Sequence, residues 1–411
     1  MKKITIIISG ILSLGYLFSC NKESGSGPTP PPTSDSFIVT VNNGYGSGKY
    51  KSGDTVHIFS VAYGTDQLFN TWRGDISLLQ SPNEWHTWFI MPNNNITLTG
   101  SLEGVPDFTL QYEQIKGKSI LKPVYYYFPQ NEKGLVYLLH GTNGNAANIM
   151  NSYEWQQMIK DLVNNQFGVM ITEAEESTLN SDTNGDGKIR WDLLPYDTTS
   201  NIDFANIRII TDTFYNRRVI SRTTPRYSIG MSDGGFFSGA LSSIYNFKAG
   251  VQYCAQGSTT IIQNTTVPIQ FCMARKDDNP SVGTAGDAQA LSNYQALNAR
   301  GVCSKFFINE RSPLYPERFA RSGDIPLTLS VSVFNELKSN GYIDNKNYFI
   351  GYPDSLTSAV QNNPSNFPVI KSLSFNQLNA MLSEINIAVA DHHIYSDYNR
   401  ATLKFLTSQC Q

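Results

Sequence analysis

The stretch Arg226-Tyr227-Ser228-Ile229-Gly230-Met231-Ser232-Asp233-Gly234-Gly235 decides how this chain is read. Arg226 to Gly230 reads as a strand, and Phe236 to Tyr245 reads as a helix. Between them Gly230-Met231-Ser232-Asp233-Gly234 fits the pattern G-x-S-x-G. Small residues on both sides of a serine let a strand fold sharply into a helix. The turn then exposes the hydroxyl of Ser232 at a helix N-terminus, where the dipole favours developing negative charge. Ser232 is therefore a candidate nucleophile.

Outward from this turn, apolar runs alternate with helical periodicity. Gly134 to Leu139 is followed by a helix around Tyr153 to Asn165, then by Gly168 to Thr172 and a helix around Ile202 to Arg217. After the serine come the runs Ala249 to Tyr253 and Val267 to Phe271. Strands alternating with helices predict a mostly parallel sheet covered on both faces. Such sheets bind ligands at the carboxyl ends of their strands.

A serine hydroxyl is a poor nucleophile until a base removes its proton. The only histidines after Ser232 are His392 and His393, in Ala390-Asp391-His392-His393-Ile394-Tyr395, just before an apparent terminal helix. Adjacent residues point in different directions, so one of the two is expected to act.

Taken in order, these motifs resemble the α/β-hydrolase superfamily over about 106–411. The resemblance implies a doubly wound, mostly parallel sheet and hydrolysis through the chain order Ser, Asp, His. The terminal segment is similar to the Asp/Glu-His-x-aromatic stretch of esterase-type members, which favours His392 over His393. Ala274-Arg275-Lys276-Asp277-Asp278 looks like the family's Gly-x-x-Asp turn with alanine in the glycine place. That selects Asp277 as the orienting acid, with Asp278 as the alternative. Leu138-Leu139-His140-Gly141-Thr142 resembles the family's His-Gly oxyanion loop. The resemblance assigns the oxyanion donors to the amides of Thr142 and Asp233, and gives His140 a structural part. Gly230 to Gly235 is most similar to feruloyl and acetylxylan esterases and to polyester depolymerases, which implies an ester substrate, polymeric in such enzymes. Peptidase or lipase chemistry is the enzymatic alternative. A surface adhesion protein with a degenerate hydrolase domain is the non-enzymatic one.

The N-terminus reads differently. Met1-Lys2-Lys3 is a basic start, Ile4 to Leu17 is apolar, and the run stops at Leu17-Phe18-Ser19-Cys20. It is short for a membrane span and reads as an export signal over 1–20. Its end resembles the lipobox of bacterial lipoproteins, which implies acylation of Cys20 and attachment to an outer membrane or cell surface. Residues 21–36 are rich in Pro, Gly and Ser and read as a disordered tether. Residues 37–103 read as short strands and turns. Their Val-Thr-Val, Gly-x-Gly, Phe69-x-x-Trp72 and Met91-Pro92 pattern resembles one divergent internalin-B-type repeat, with Trp72 as its core residue. The change near Pro106 predicts two domains, a small all-β module and a catalytic domain.

Asp182-Thr183-Asn184-Gly185-Asp186-Gly187 resembles the start of a calcium loop, with oxygen-bearing residues Asp182, Asn184 and Asp186 at alternate positions. Asp192 departs from that pattern by falling one place early. No cofactor is required by this chemistry, and a structural calcium ion is the one metal the sequence raises. Between about Arg311 and Asn386 an insertion with helical pattern, as in Leu327 to Lys338, predicts a cap.

Composition narrows the partners. A formal net charge of −3 with 16% charged residues lacks the concentrated positive charge that nucleic acid requires. Aromatics make up 12% of the chain, a share found in polymer-facing proteins and in aromatic cores alike. Cys254, Cys272, Cys303 and Cys410 remain after Cys20, and export permits two bridges in three pairings. No C-x-x-C pair offers a thiolate zinc site.

Overall fold

Gly134–Leu139, Phe167–Ile171, Ala249–Tyr253 and Ile269–Ala274 are buried along their whole length, so they read as continuous apolar runs rather than alternating ones. They are central strands of an eight-stranded sheet in the computed structural model, which describes residues 36–61 and 67–410. The expected export signal, Cys20 and the expected tether as far as residue 35 lie outside the described residues.

The strands of the large sheet are β1 (Gln111–Lys116), β2 (Leu121–Tyr127), β3 (Gly134–Leu139), β4 (Phe167–Ile171), β5 (Arg226–Met231), β6 (Ala249–Tyr253), β7 (Ile269–Ala274) and β8 (Ser304–Asn309). Their spatial order is β8-β7-β6-β5-β3-β4-β2-β1. Pairing is parallel from β4 through β8, while β2 runs antiparallel to β4 and β1 antiparallel to β2. The twofold period of a strand divides β3 between two cores. Val136 and Leu138 join a cluster with Trp155 and Leu162 of the helix Tyr153–Asn164, and with Phe405 of the terminal helix Asn399–Ser408. Leu135, Tyr137 and Leu139 face the other way, onto Phe204 and Ile210 of the helix Ile202–Asn216 and Phe237 of the helix Asp233–Ile244. Each such fully buried side chain contributes roughly 2 kcal/mol of transfer free energy. This is the α/β-hydrolase fold that the motif order implied. The chain reverses direction across the sheet around β3, so the crevice at the carboxyl ends of β3 and β5 is the natural ligand site.

Before the large sheet, residues 36–104 form two smaller ones. One joins Gly48–Lys51, Ser36–Asn42, Ile96–Gly104 and Gln67–Gly74, and the other joins Gly44–Tyr45, Thr55–Ser60 and His86–Ile90. Between them lies an apolar cluster with Trp72, 1% exposed, whose indole N–H donates to Glu84 O at 3.0 Å. Tyr315, from the insertion after β8, belongs to the same cluster. Residues 36 to 410 accordingly form a single compact unit, in which the module's core is completed from the other side of the boundary near Pro106.

The insertion is helical. Leu327–Ser339, Pro353–Asn362, Pro368–Lys371 and Phe375–Val389 enclose a separate core around Phe319, Val333, Leu356 and Ile385. Cys303 and Cys410 form a disulfide that ties the start of β8 to the C-terminus, and Cys254 and Cys272 are buried free thiols. Among the described residues, no helix is long and apolar enough to cross a membrane.

Candidate active site

β5 delivers Met231, and the helix Asp233–Ile244 begins one residue after Ser232. Ser232 joins them at φ 58° and ψ −123°, a sparsely populated backbone conformation that costs about 1–3 kcal/mol and persists only where its surroundings enforce it. The enforcement is steric and hydrogen-bonded. A Cβ on Gly230 would lie 1.9 Å from Gly234 O, and one on Gly234 would lie 2.3 Å from His140 O. Ser232 N donates to Tyr253 O at 2.8 Å, while Ser232 O accepts from Gly235 N and Phe236 N at 2.9 and 3.1 Å.

His392 and Asp277 arrive on two loops that are knit together. Lys276 N donates to Ala390 O at 2.8 Å, and Asp278 N donates to the Asp391 carboxylate at 3.1 Å. Ala390 closes the helix Phe375–Val389 in the left-handed region at φ 62°, which turns the chain toward the sheet. His392 Nε2 then lies 2.9 Å from Ser232 Oγ, and His392 Nδ1 lies 2.7 Å from Asp277 Oδ2. The Asp277 side chain is fully buried, with its other oxygen accepting from Asn279 N at 3.0 Å. Ser232 and His392 are half-buried, so the serine end of this chain is the open end.

The alternatives are placed elsewhere. Asp278 is exposed and meets Asp391 on the histidine loop rather than His392, donating its backbone amide to that carboxylate. His393 points away, with Nε2 2.6 Å from Ser383 Oγ, and burial followed by the charge of His392 pushes its pKa down to about 4. Two neighbours were not singled out in the sequence. Asp391 accepts from His392 N as well as Asp278 N, and burial pushes its carboxyl up to about 6. Cys254 follows β6 and presents Sγ within 4.8 Å of ligand atoms of Asp277 and His392, but burial raises its thiol well above the ordinary range.

The loop after β3 lies against the serine, since a Cβ on Gly141 would be 3.2 Å from Ser232 Cβ. His140 pins it. Its Nδ1–H donates to Gly141 O at 2.7 Å, and its Nε2 accepts from Ala174 N at 3.1 Å, the tautomer these two partners require. Burial pushes His140 down to about 4, so this ring stays neutral. Thr142 follows, half-buried. Asp233 N is the first amide of its helix and has no intrahelical acceptor by geometry.

Trp191, not singled out in the sequence, braces both halves. Its indole N–H donates to His140 O at 2.9 Å, its backbone N–H donates to Asp233 Oδ2 at 3.0 Å, and its ring stacks on Phe237 at 4.5 Å. Burial pushes Asp233 up to about 6.

The loop carrying Asp182, Asn184 and Asp186 leads into Trp191. Asp182 accepts from the amides of Gly185 and Gly187 at 2.7 and 2.8 Å, and the Gly187 bond leads the contacts that lower its pKa. Asn184 Oδ1 accepts from Asp186 N at 3.0 Å, and Asp186 Oδ2 accepts from Arg190 Nε at 2.8 Å. Glu176, not singled out in the sequence, accepts from Thr183 N and Arg190 N at 2.8 and 3.1 Å and fastens the loop to the scaffold.

No family model and no curated protein matches this sequence. Solved structures to which the chain is similar include a predicted CIB-like hydrolase from Thermoplasma acidophilum, 13% identical, with 50% of this chain and 88% of that one covered at a TM-score of 0.35. A ferulic acid esterase is 12% identical, with 49% and 89% covered at 0.36. A cold-adapted esterase from an Arctic intertidal metagenomic library is 12% identical, with 49% and 85% covered at 0.34.

Proposed function

We propose that this protein is a serine hydrolase that cleaves carboxylic esters through an acyl-enzyme. The observation that carries the reading is the continuous hydrogen-bond chain from Ser232 Oγ through His392 to the buried carboxylate of Asp277. Ser232 Oγ attacks the ester carbonyl and passes its proton to His392 Nε2. Asp277 holds Nδ1–H in place and stabilises the imidazolium. The amides of Thr142 and Asp233 meet the oxyanion. The alcohol leaves with the proton of His392. Water then gives up a proton to the same nitrogen and frees the acid from Ser232.

The apolar run that ends at Cys20, read as an export and acylation signal, supports a lipid-anchored enzyme facing an extracellular polymer, and polysaccharide esters are the substrate class we assign. A fluorophosphonate probe tests the core of the reading, because it forms a stable adduct only with an activated serine. Labelling of the intact protein that disappears in Ser232→Ala is expected. An unlabelled, folded wild-type protein would overturn it.

A further inference from the structure

The module and the helical insertion enclose a cleft of about 710 Å³, lined on one side by Gly44 to Phe59 and on the other by Pro313 to Glu317 and Asn345 to Tyr348. None of the residues assigned to ester hydrolysis lines it. We propose that this cleft binds a neutral oligosaccharide chain, separately from the site at Ser232. The proposal deepens the ester-hydrolase reading by giving the glycan of a polysaccharide ester its own seat.

The walls carry the chemistry a sugar needs. A pyranose ring has an apolar face of C–H groups and a rim of hydroxyls, so it is bound by aromatic faces bordered by polar groups. Tyr45, Tyr50 and Tyr348 line the cleft and are half-buried. Their orientations are set beforehand. Tyr45 stacks on Tyr315 at 4.3 Å and 16°, Tyr50 Oη donates to Gly46 O at 2.9 Å, and Tyr348 Oη lies 3.2 Å from His57 Nε2. Rings already held lose little freedom when a ligand arrives.

Charge selects among polar ligands. Lys49 and Lys346 contribute two positive charges to the lining, and Asp54 and Glu317 contribute two negative ones. His57 adds none, because burial and then the neighbouring His86 push it down to about 3. A balanced rim favours hydroxyls over phosphate, nucleic acid or a strongly acidic polymer. A volume of about 710 Å³ falls in the range of pockets that bury a drug-sized ligand.

Affinity electrophoresis of the intact protein in gels containing neutral xylan, glucan or mannan tests this, followed by titration calorimetry with the matching hexasaccharide. At least one neutral glycan is expected to retard the protein. Tyr50→Ala and Tyr348→Ala should each weaken the calorimetric affinity about tenfold or more while leaving p-nitrophenyl acetate hydrolysis unchanged. Lys346→Ala, at an exposed position, gives a second reading with the fold unperturbed and should weaken binding several-fold. Ser232→Ala should bind normally. Absence of retardation by every neutral glycan overturns the proposal, as does retention only by acidic polymers that salt abolishes. Binding lost in Ser232→Ala but intact in both tyrosine variants overturns it too, by placing the glycan in the catalytic crevice. Tyrosine-dependent binding by a protein that cleaves no ester would support the cleft and refute the hydrolase.

Discussion

Ser232 is held at φ 58° by neighbours that leave no room for a side chain, and His392 reaches it while the adjacent His393 does not. Two different losses follow from that geometry. His392→Ala should cut kcat/KM for a p-nitrophenyl ester by about a thousandfold or more, comparable to Ser232→Ala, since a triad acts as a unit. His393→Asn should leave turnover within a few-fold of wild type and change acid stability instead. The His393 pKa is lowered by burial from 6.5 to about 4. A lowered value means that its contribution is fully present above pH 6.5 and is lost as pH falls toward 4, up to about 3 kcal/mol. Melting temperature against pH should therefore fall less steeply for His393→Asn than for wild type across that window. Equal slopes would refute the assignment of His393 as a neutral, half-buried ring held by Ser383. Gly234→Ala should abolish activity, because its Cβ would meet His140 O at 2.3 Å.

At this scale much was legible. The spacing around Ser232 and the scarcity of histidines after it point to both residues, because local turn chemistry is written in adjacent positions. Asp391 and Cys254 were not legible as neighbours of the site. Asp391 meets Asp278 across 113 positions, and such pairings are set by the packing of whole loops.

The elements show the same division. Strands buried on both faces, such as Gly134–Leu139, betray themselves as apolar runs. Gln111–Lys116 has a single buried residue, Ile115, so its composition alone gives no strand signal and only pairing with Leu121–Tyr127 makes it one. The stretch from Asp182 to Gly187 was legible as resembling the start of a calcium loop, but the grip of the following residues on the scaffold around Ser232 was not. Trp191→Phe keeps the stack on Phe237 and loses the indole hydrogen bond to His140 O. One neutral hydrogen bond contributes about 1 kcal/mol, so a kcat several-fold to tenfold lower with little change in KM is expected. An unaltered kcat would show that the loop does not position the oxyanion side.

Calcium at this loop is a separate proposal. The ion would take the Asp182 and Asp186 carboxylates partly from backbone amides and Arg190. It should raise the melting temperature, by the equivalent of about 2.7 kcal/mol at a hundredfold excess over its dissociation constant. Chelator should reverse the rise, and Asp182→Ala with Asp186→Ala should remove it. A melting temperature indifferent to calcium assigns the loop to its own hydrogen bonds.

On the scale of the whole molecule, the composition change near Pro106 marks a change of architecture but not an energetic boundary. Five charged side chains, Glu154, Arg318, Arg321, Glu384 and Asp397, are buried together where the module, the insertion and the large sheet meet. Burial opposes charge on Asp397, yet Arg318, a hydrogen bond from His86 and Arg321 together hold its carboxyl well below the usual range. The module supplies much of the lining. His86 Nδ1 lies 3.1 Å from Asp397 Oδ2, and its other nitrogen lies 3.0 Å from His57 Nδ1. The Trp85 ring lies 5.0 Å from the Arg318 guanidinium and 3.9 Å from that of Arg321. Arg400, on the terminal helix, donates to Phe69 O at 2.7 Å. Removing one partner from such a buried set costs about 3–5 kcal/mol, a large part of a typical folding free energy. A chain beginning at Pro106 would lose all of these partners at once and expose Tyr315 as well. We expect it to be insoluble, or soluble without cooperative unfolding and without esterase activity. His86→Ala in the full chain should be milder, folding with a melting temperature lowered by several degrees and near-normal kcat. Circular dichroism melts and p-nitrophenyl acetate turnover measure both. A Pro106 chain that unfolds cooperatively and hydrolyses ester at the wild-type rate would show that the module is a passenger and that the buried charges are satisfied without it.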